Sequence, residues 1–257
     1  MTKRFPSITN KLAPAAAVAA VLAIWFLCCE GEIVPAYMLP SPADVFRAFV
    51  RNIGDLLRQA AVTLQEAMYG LLIGIALAFA VAVLMDQFRF LYKALYPLLV
   101  VTQTIPTIAI APLLVLWMGF GMAPKITLVV ITTFFPITVG LLSGFGCVDP
   151  DCIHLMRTMG AGRMQIFRFV KLPCAAPDFF AGLRISASYA VVGAVVSEWL
   201  GGFEGLGVYM TRVKKAYAYD RMFAVILFIS AFSLLLMGAV ALMEKAAMPW
   251  KQKGVSS

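Results

Sequence analysis

Val148-Asp149-Pro150-Asp151-Cys152-Ile153-His154-Leu155-Met156-Arg157-Thr158-Met159-Gly160-Ala161-Gly162-Arg163-Met164-Gln165-Ile166-Phe167-Arg168-Phe169-Val170-Lys171-Leu172-Pro173 is a polar island in an apolar chain. Asp149 suits a helix N-cap and Pro150 the first helical position. The spacing predicts a short helix to Met159, a break at Gly160-Ala161-Gly162, where glycine allows the left-handed backbone of a helix end, and a second short helix over residues 163–170. That second helix is apolar at Met164, Phe167 and Val170, basic at Arg163, Arg168 and Lys171, and stopped by Leu172-Pro173. Two short helices meeting at a glycine make a knob. The knob either lies on lipid with its basic residues at anionic headgroups or docks a cytoplasmic partner.

On either side the chain is apolar enough to cross a bilayer. The 257 residues are 62% hydrophobic and 13% charged, where soluble domains carry about a quarter charged residues. A spanning helix needs roughly 20 apolar residues, and six runs approach that length: 12–29, 66–85, 94–120 (interrupted by Pro97, Pro106 and Pro112), 124–145, 182–200 and 222–243. The expected fold is an all-α polytopic membrane protein, a single transmembrane domain over residues 1–257, with the polar segment 149–177 outside the membrane. The first run follows Lys3, Arg4 and Lys11 like a signal peptide, but Glu30-Gly31-Glu32 stands where a small-residue cleavage site belongs, so a retained anchor is expected.

Six crossings put both termini on one side. That side carries Lys3, Arg4, Lys11, Arg89, Lys93, Arg157, Arg163, Arg168, Lys171, Arg184, Lys245, Lys251 and Lys253, 13 in all. The other carries 8: Arg47, Arg51, Arg58, Lys125, Arg212, Lys214, Lys215 and Arg221. The richer side is cytoplasmic by the positive-inside rule, and the net charge of +8 is therefore read as topology, not nucleic-acid binding. In the outer segment, Ser41 and Pro42 begin a predicted short helix with a stripe of Val45, Phe46, Phe49 and Ile53, expected on the outer interface. Cys28, Cys29, Cys147, Cys152 and Cys174 contain no CxxC pair and His154 is the one histidine, so neither a metal site nor a disulfide framework is expected. No second catalytic group accompanies His154, and no catalytic residue is assigned.

Gly160, nine residues, then Val170-Lys171-Leu172-Pro173 resembles the coupling motif of ATP-binding-cassette (ABC) importer permeases: Glu-Ala-Ala, three residues, glycine, nine residues, a branched aliphatic residue, any residue, Leu-Pro. His154, Leu155 and Met156 stand where that family has Glu-Ala-Ala. Leu39-Pro40-Ser41-Pro42, Gln103-Thr104-Ile105-Pro106, Ala111-Pro112-Leu113-Leu114, Trp117-Met118-Gly119-Phe120-Gly121, and Ser197 to Gly202 with Gly205-Leu206-Gly207 are similar to the nitrate, sulfonate and taurine branch; within it the run Gln103 to Pro112, and Ser197-Glu198-Trp199 with Gly205 to Met210, look most like permeases for pyrimidine precursors of thiamine, with riboflavin and other heteroaromatic importers close by. The resemblance implies a bacterial inner-membrane importer of two permease copies, an ABC subunit that binds ATP and Mg, and an extracytoplasmic solute-binding protein. It implies a coupling role for Arg157, Gly160, Met164, Phe167, Arg168, Leu172 and Pro173. This chain has no GxxxxGK[ST] loop, so any ATP is bound elsewhere.

A pathway is expected where polar groups interrupt apolar helix: Thr102, Gln103, Thr104 and Pro106, alternatively a purely structural kink. Glu198 is either a pathway group or an interfacial acid beside Trp199; Glu66 favours a helix N-terminus. Gly70, Gly74, Ala78 and Ala82 form a small-residue stripe for close helix approach, in this copy or another. The competing class is a secondary transporter or channel working without an ATPase, against which stands the absence of a convincing internal repeat.

Overall fold

The computed structural model describes residues 8–31, 35 and 38–249. Lys3, Arg4, Glu32, Lys251 and Lys253 of the topology reading lie outside them, as does the side chain of Lys11. The described chain is helical: α1 Ile8–Glu30, α2 Pro42–Arg51, α3 Ile53–Gln87, α4 Arg89–Thr102, α5 Thr107–Met118, α6 Met122–Gly146, α7 Pro150–Thr158, α8 Arg163–Ile166, a π-helical turn Phe167–Lys171, α9 Leu172–Gly201, α10 Leu206–Lys215 and α11 Tyr219–Ala247. Among the described residues, four helices are long and apolar enough to cross a membrane; α4 and α5 together make a fifth, and the shorter apolar stretch of α1, Ala15–Glu30, is available for a sixth.

The chain divides into two compact units, residues 58–209 with 229–257, and residues 1–57 with 210–228. The larger is centred on α6 and α9. Their meeting faces are Val129, Ile137, Leu141 and Phe145 against Ala175, Leu183, Ala187, Ala190 and Ala194, with Ala67, Leu71, Ala78 and Ala82 of α3 completing the core. Small residues allow this approach, because association inside lipid depends on close packing more than on apolarity. The stripe on α3 is taken up within this copy: Gly70 lies over Val129 and Gly74 over Thr133 of α6. A Cβ at position 70 would overlap the Val129 side chain. Gly70→Ala is therefore expected to destabilise by about 1–3 kcal/mol through overpacking, read as a lower melting midpoint in detergent. Gly54→Ala, where a Cβ meets nothing within 4 Å, serves as the control. Ser186 of α9 donates to the Thr133 carbonyl at 2.8 Å, three residues before Pro136, so a hydroxyl supports α6 where proline interrupts its ladder.

In the smaller unit, Ser41 caps α2 by accepting from Asp44 N–H at 3.2 Å. Val45 and Ala48 pack on Ala224 beside Trp25, Phe49 and Phe223, and Trp25 Nε1 donates to the Pro40 carbonyl at 3.2 Å. The α2 stripe expected to rest on lipid is thus partly covered by protein, while Phe46 remains 66% exposed.

Three helices differ from the hydropathy reading. The second run was placed at 66–85, but α3 has 35 residues, about 52 Å, against a hydrocarbon core of about 30 Å. Its first third carries polar residues that find partners inside the fold. The third run, 94–120, is two helices bent by 99°. Pro97 and Pro112 sit within α4 and α5, and the break falls at Pro106, whose backbone is extended (φ −60°, ψ 121°). The fifth run, 182–200, continues back through Leu172-Pro173 and the π turn to Arg163, 39 residues in all. Pro173 does not end a helix. In regular α geometry its ring would meet the carbonyl four residues earlier; the wider π turn preceding it, closed by Leu172 N–H to the Phe167 carbonyl, relieves that clash.

Candidate functional site

Asp149 Oδ1 accepts from Asp151 N–H at 2.9 Å and starts α7. The helix ends where Gly160 takes φ +82°, and Gln165 Oε1 accepts from Gly162 N–H at 2.8 Å to start the next. The result is a one-helix knob followed by a sharp turn into the long helix. Of the expected coupling residues, Arg157, Met164 and Arg168 are exposed, with Met164 at 71%. Phe167 is not a projecting anchor: its ring meets Phe145 of α6, centroids 5.5 Å apart, and packs against the core. The projecting apolar groups are Leu155, Met159, Met164 and Phe169, 60–75% exposed, with the Arg168 guanidinium 5.9 Å above the Phe169 ring. Regular helical spacing put the apolar face at 164, 167 and 170; the π turn changes the register after Phe167, which hides Phe167 and presents Phe169. Leu172 and Pro173 lie inside the continuous helix. Lys171 beside them holds both oxygens of Asp86, at 2.7 and 2.8 Å, and so ties the start of α9 to the end of α3.

At the α4–α5 break, Thr102 Oγ1 donates to the Leu99 carbonyl at 2.6 Å and Thr104 Oγ1 to the Val101 carbonyl at 2.8 Å. Both hydroxyls thus add donors to carbonyls in the last turn of α4, where Gln103 and Thr104 N–H close tighter turns on the Val100 and Val101 carbonyls. Gln103 instead lines a cavity of about 470 Å³ with Pro136, Gly140, Asp178, Ile185 and Tyr189. A neighbouring cavity of about 740 Å³ shares Asp178, Ile185 and Tyr189 and adds Ser188 and the Arg184–Glu244 ion pair. One face of α9 therefore contributes Asp178, Arg184, Ser188 and Tyr189 to the two cavities, with Gln103 and Glu244 supplied by other helices and loops. Sequence reading missed it, although ionisable residues in a span are a signal by themselves.

Glu198 is 1% exposed and lies on neither cavity. Thr63 Oγ1 donates to its Oε1 at 2.7 Å, and Gly207 N–H to its Oε2 at 2.6 Å. Thr63 accepts from Leu206 N–H at 2.9 Å, and Gln59 Oε1 from Gly205 N–H at 2.7 Å. Three side chains thus satisfy the unpaired N–H groups at the start of α10, and a carboxylate suits that end of a helix. This geometry differs from both the pathway and the interfacial expectation: Glu198 fixes the turn between α9 and α10. Gly205 has φ +121° and a Cβ there would collide with the Glu198 carboxylate. Gly205→Ala is expected to cost at least 1–3 kcal/mol from backbone strain alone, seen as a lower melting midpoint and faster proteolysis after residue 201. Glu66, instead of opening a helix, sits inside α3 and pairs with Lys125 Nζ at 2.6 Å, the two side chains 1% and 7% exposed. Lys125, an outer loop charge in the topology count, is instead a buried partner, and an acid in an apolar segment is the sequence signal that such a partner is needed.

The description "Binding-protein-dependent transport system inner membrane component" matches residues 70–248. A probable ABC transporter permease protein of Haemophilus influenzae is 38% identical over 225 residues, covering 88% of this chain and 92% of that one. The formylaminopyrimidine transport permease protein ThiX of Halalkalibacterium halodurans is 36% identical over 234 residues, covering 91% and 93%. A crystal structure of a bacterial ABC transporter involved in the import of alginate has a chain of the same fold, with TM-score 0.66 at 17% identity, covering 93% of this chain and 97% of that one.

Proposed function

We propose a mechanism from one premise: this chain belongs to the binding-protein-dependent transport system inner membrane component family and is a permease subunit of an ABC importer for a small solute. The proposal is that ATP binding and hydrolysis on a separate subunit move the α7 knob, that the continuous helix from Arg163 to Gly201 carries this motion across the membrane, and that the cavities beside Gln103 and Tyr189 open alternately to either side. The observation that carries it is the knob itself. Leu155 and Met159 project from a short, separately capped helix, and Met164 and Phe169 from the start of the 39-residue rod that it joins; large exposed apolar groups of this kind mark interaction sites. Arg157, Gly160, Met164 and Arg168 are assigned to coupling, with Phe167, Leu172 and Pro173 holding the rod that receives it. The knob side is taken as cytoplasmic, and two copies as the working form.

The solute proposed is a small heteroaromatic molecule of the aminopyrimidine class, supported by the ThiX relative. Tyr189 offers a stacking ring, and Gln103, Ser188 and Asp178 offer hydrogen bonds. The test is reconstitution of the chain with its ATP-binding subunit and solute-binding protein in proteoliposomes. Uptake of labelled formylaminopyrimidine should require ATP inside the vesicle compartment that faces the knob; uptake by the chain alone would overturn the reading in favour of a secondary transporter.

A further inference from the structure

The smaller unit carries a second polar feature that coupling does not use. A cleft of about 390 Å³ opens between α2 and the start of α11, lined by Arg47, Arg51, Tyr217, Tyr219, Asp220 and Arg221. The six crossings expected from the sequence put its residues on the outer side in the orientation proposed above. Basic residues on that side run against the positive-inside rule, so their presence calls for another cause. Lys125 is accounted for by Glu66 and Arg58 by Glu204. The other six, Arg47, Arg51, Arg212, Lys214, Lys215 and Arg221, all belong to this one unit. Only Arg47 has a carboxylate partner among the described residues, Asp44 at 2.9 Å.

Tyr217 stands at the mouth of the cleft. It is 79% exposed, edge-on to Tyr219 with centroids 6.4 Å apart, and is the one non-glycine described residue with positive φ, +56°. Glycine is the usual residue at such a helix end; a large aromatic there is held in the open at a backbone cost. Exposed tyrosine and arginine side by side are the composition of protein–protein hot spots, whereas small-solute sites enclose most of their ligand. We propose that this cleft is the docking surface for the extracytoplasmic solute-binding protein, which places carboxylates between Arg51 and Arg221 and packs a side chain on Tyr217. Arginine pairs with carboxylates through two parallel hydrogen bonds, and the surplus of positive charge selects an acidic face. The inference rests on the importer reading above and names the surface that reading leaves open.

The test uses the intact importer in cell membranes with a photo-cross-linking amino acid at position 217 or, separately, at position 159 on the knob. The expected products are a solute-binding protein from 217 and the ATP-binding subunit from 159, each identified by mass spectrometry. Arg51→Glu with Arg221→Glu should lower the first product at least tenfold and leave the second unchanged; Arg51→Gln alone should lower it less, and raising the salt concentration should weaken it in the unsubstituted protein. A product from 217 that is only phospholipid or a second copy of this chain, no product at all, or one indifferent to both charge changes overturns the docking surface. Loss of the product from 159 in the unsubstituted protein overturns the importer mechanism instead, which keeps the two failures apart.

Discussion

Met159→Asp combined with Met164→Asp is expected to release the ATP-binding subunit while leaving the permease folded in the membrane. Both side chains are more than 70% exposed, Met159 at the end of the knob and Met164 at the start of the long helix after it, so nothing within the chain depends on their burial. If each sits in a pocket of the partner, each charge removes a hot spot of about 2 kcal/mol, roughly thirtyfold in affinity. Such losses are not strictly additive, and a combined weakening of at least about a hundredfold is expected. Co-purification and solute-stimulated ATP hydrolysis should both disappear, and the melting midpoint of the isolated permease should not move. Phe167→Ala should behave in the opposite way. Its partly buried ring packs beside Phe145, so its removal should lower stability by about 1–3 kcal/mol, less than for a fully enclosed ring, and affect coupling only through the loosened base of the rod. Equal effects of the two changes on stability would show that the exposed and buried apolar residues of this segment have been assigned wrongly.

Lys125→Met is the second change with a large expected effect. Lys125 and Glu66 form an ion pair at 2.6 Å that is almost fully enclosed, and α3 and α6 bring it well inside the helix bundle. Removing the ammonium leaves a carboxylate with neither water nor counter-charge, a cost of about 3–5 kcal/mol, or roughly a 10 °C fall in melting midpoint for a chain of this size. The companion Glu66→Leu should also destabilise. The double variant should regain most of the loss, because two apolar groups of similar volume need no partner. The recovery, read as a double-mutant cycle, separates an ion pair from two independent packing defects: simple addition of the two single losses would contradict the pairing.

Much of the knob is legible in the sequence because its signals are local. Asp149 with Pro150 starts α7, Gly160 ends it, and Ser41 with Pro42 does the same for α2; each depends on a residue's own backbone limits. What escapes the sequence is decided at a distance. Pro173 reads as a stop, yet a π turn one step earlier lets the helix run on, and the same turn hides Phe167 and presents Phe169. Hydropathy begins the second span at Glu66, yet α3 begins at Ile53, because Glu66, Gln59 and Thr63 find Lys125 and the turn at Gly205 to Gly207, 59 to 146 positions away. Of the prolines at 97, 106 and 112, the polar run Thr102-Gln103-Thr104 marks Pro106 in the sequence, and it is Pro106 that coincides with the 99° bend. The polar face of α9 is not legible in the sequence because Asp178, Arg184 and Tyr189 are spread thinly along an apolar helix and converge with Gln103 and Glu244 only in the folded chain.

The most direct measurement is the reactivity of a cysteine at position 159 in a variant lacking the native thiols at 147, 152 and 174, which are themselves exposed. A membrane-impermeant maleimide applied to inside-out vesicles should label Met159→Cys when the ATP-binding subunit is absent, and at least tenfold more slowly when it is bound. Labelling from the outside of intact cells, or a rate indifferent to the ATP-binding subunit, would contradict a knob that docks that subunit in the cytoplasm.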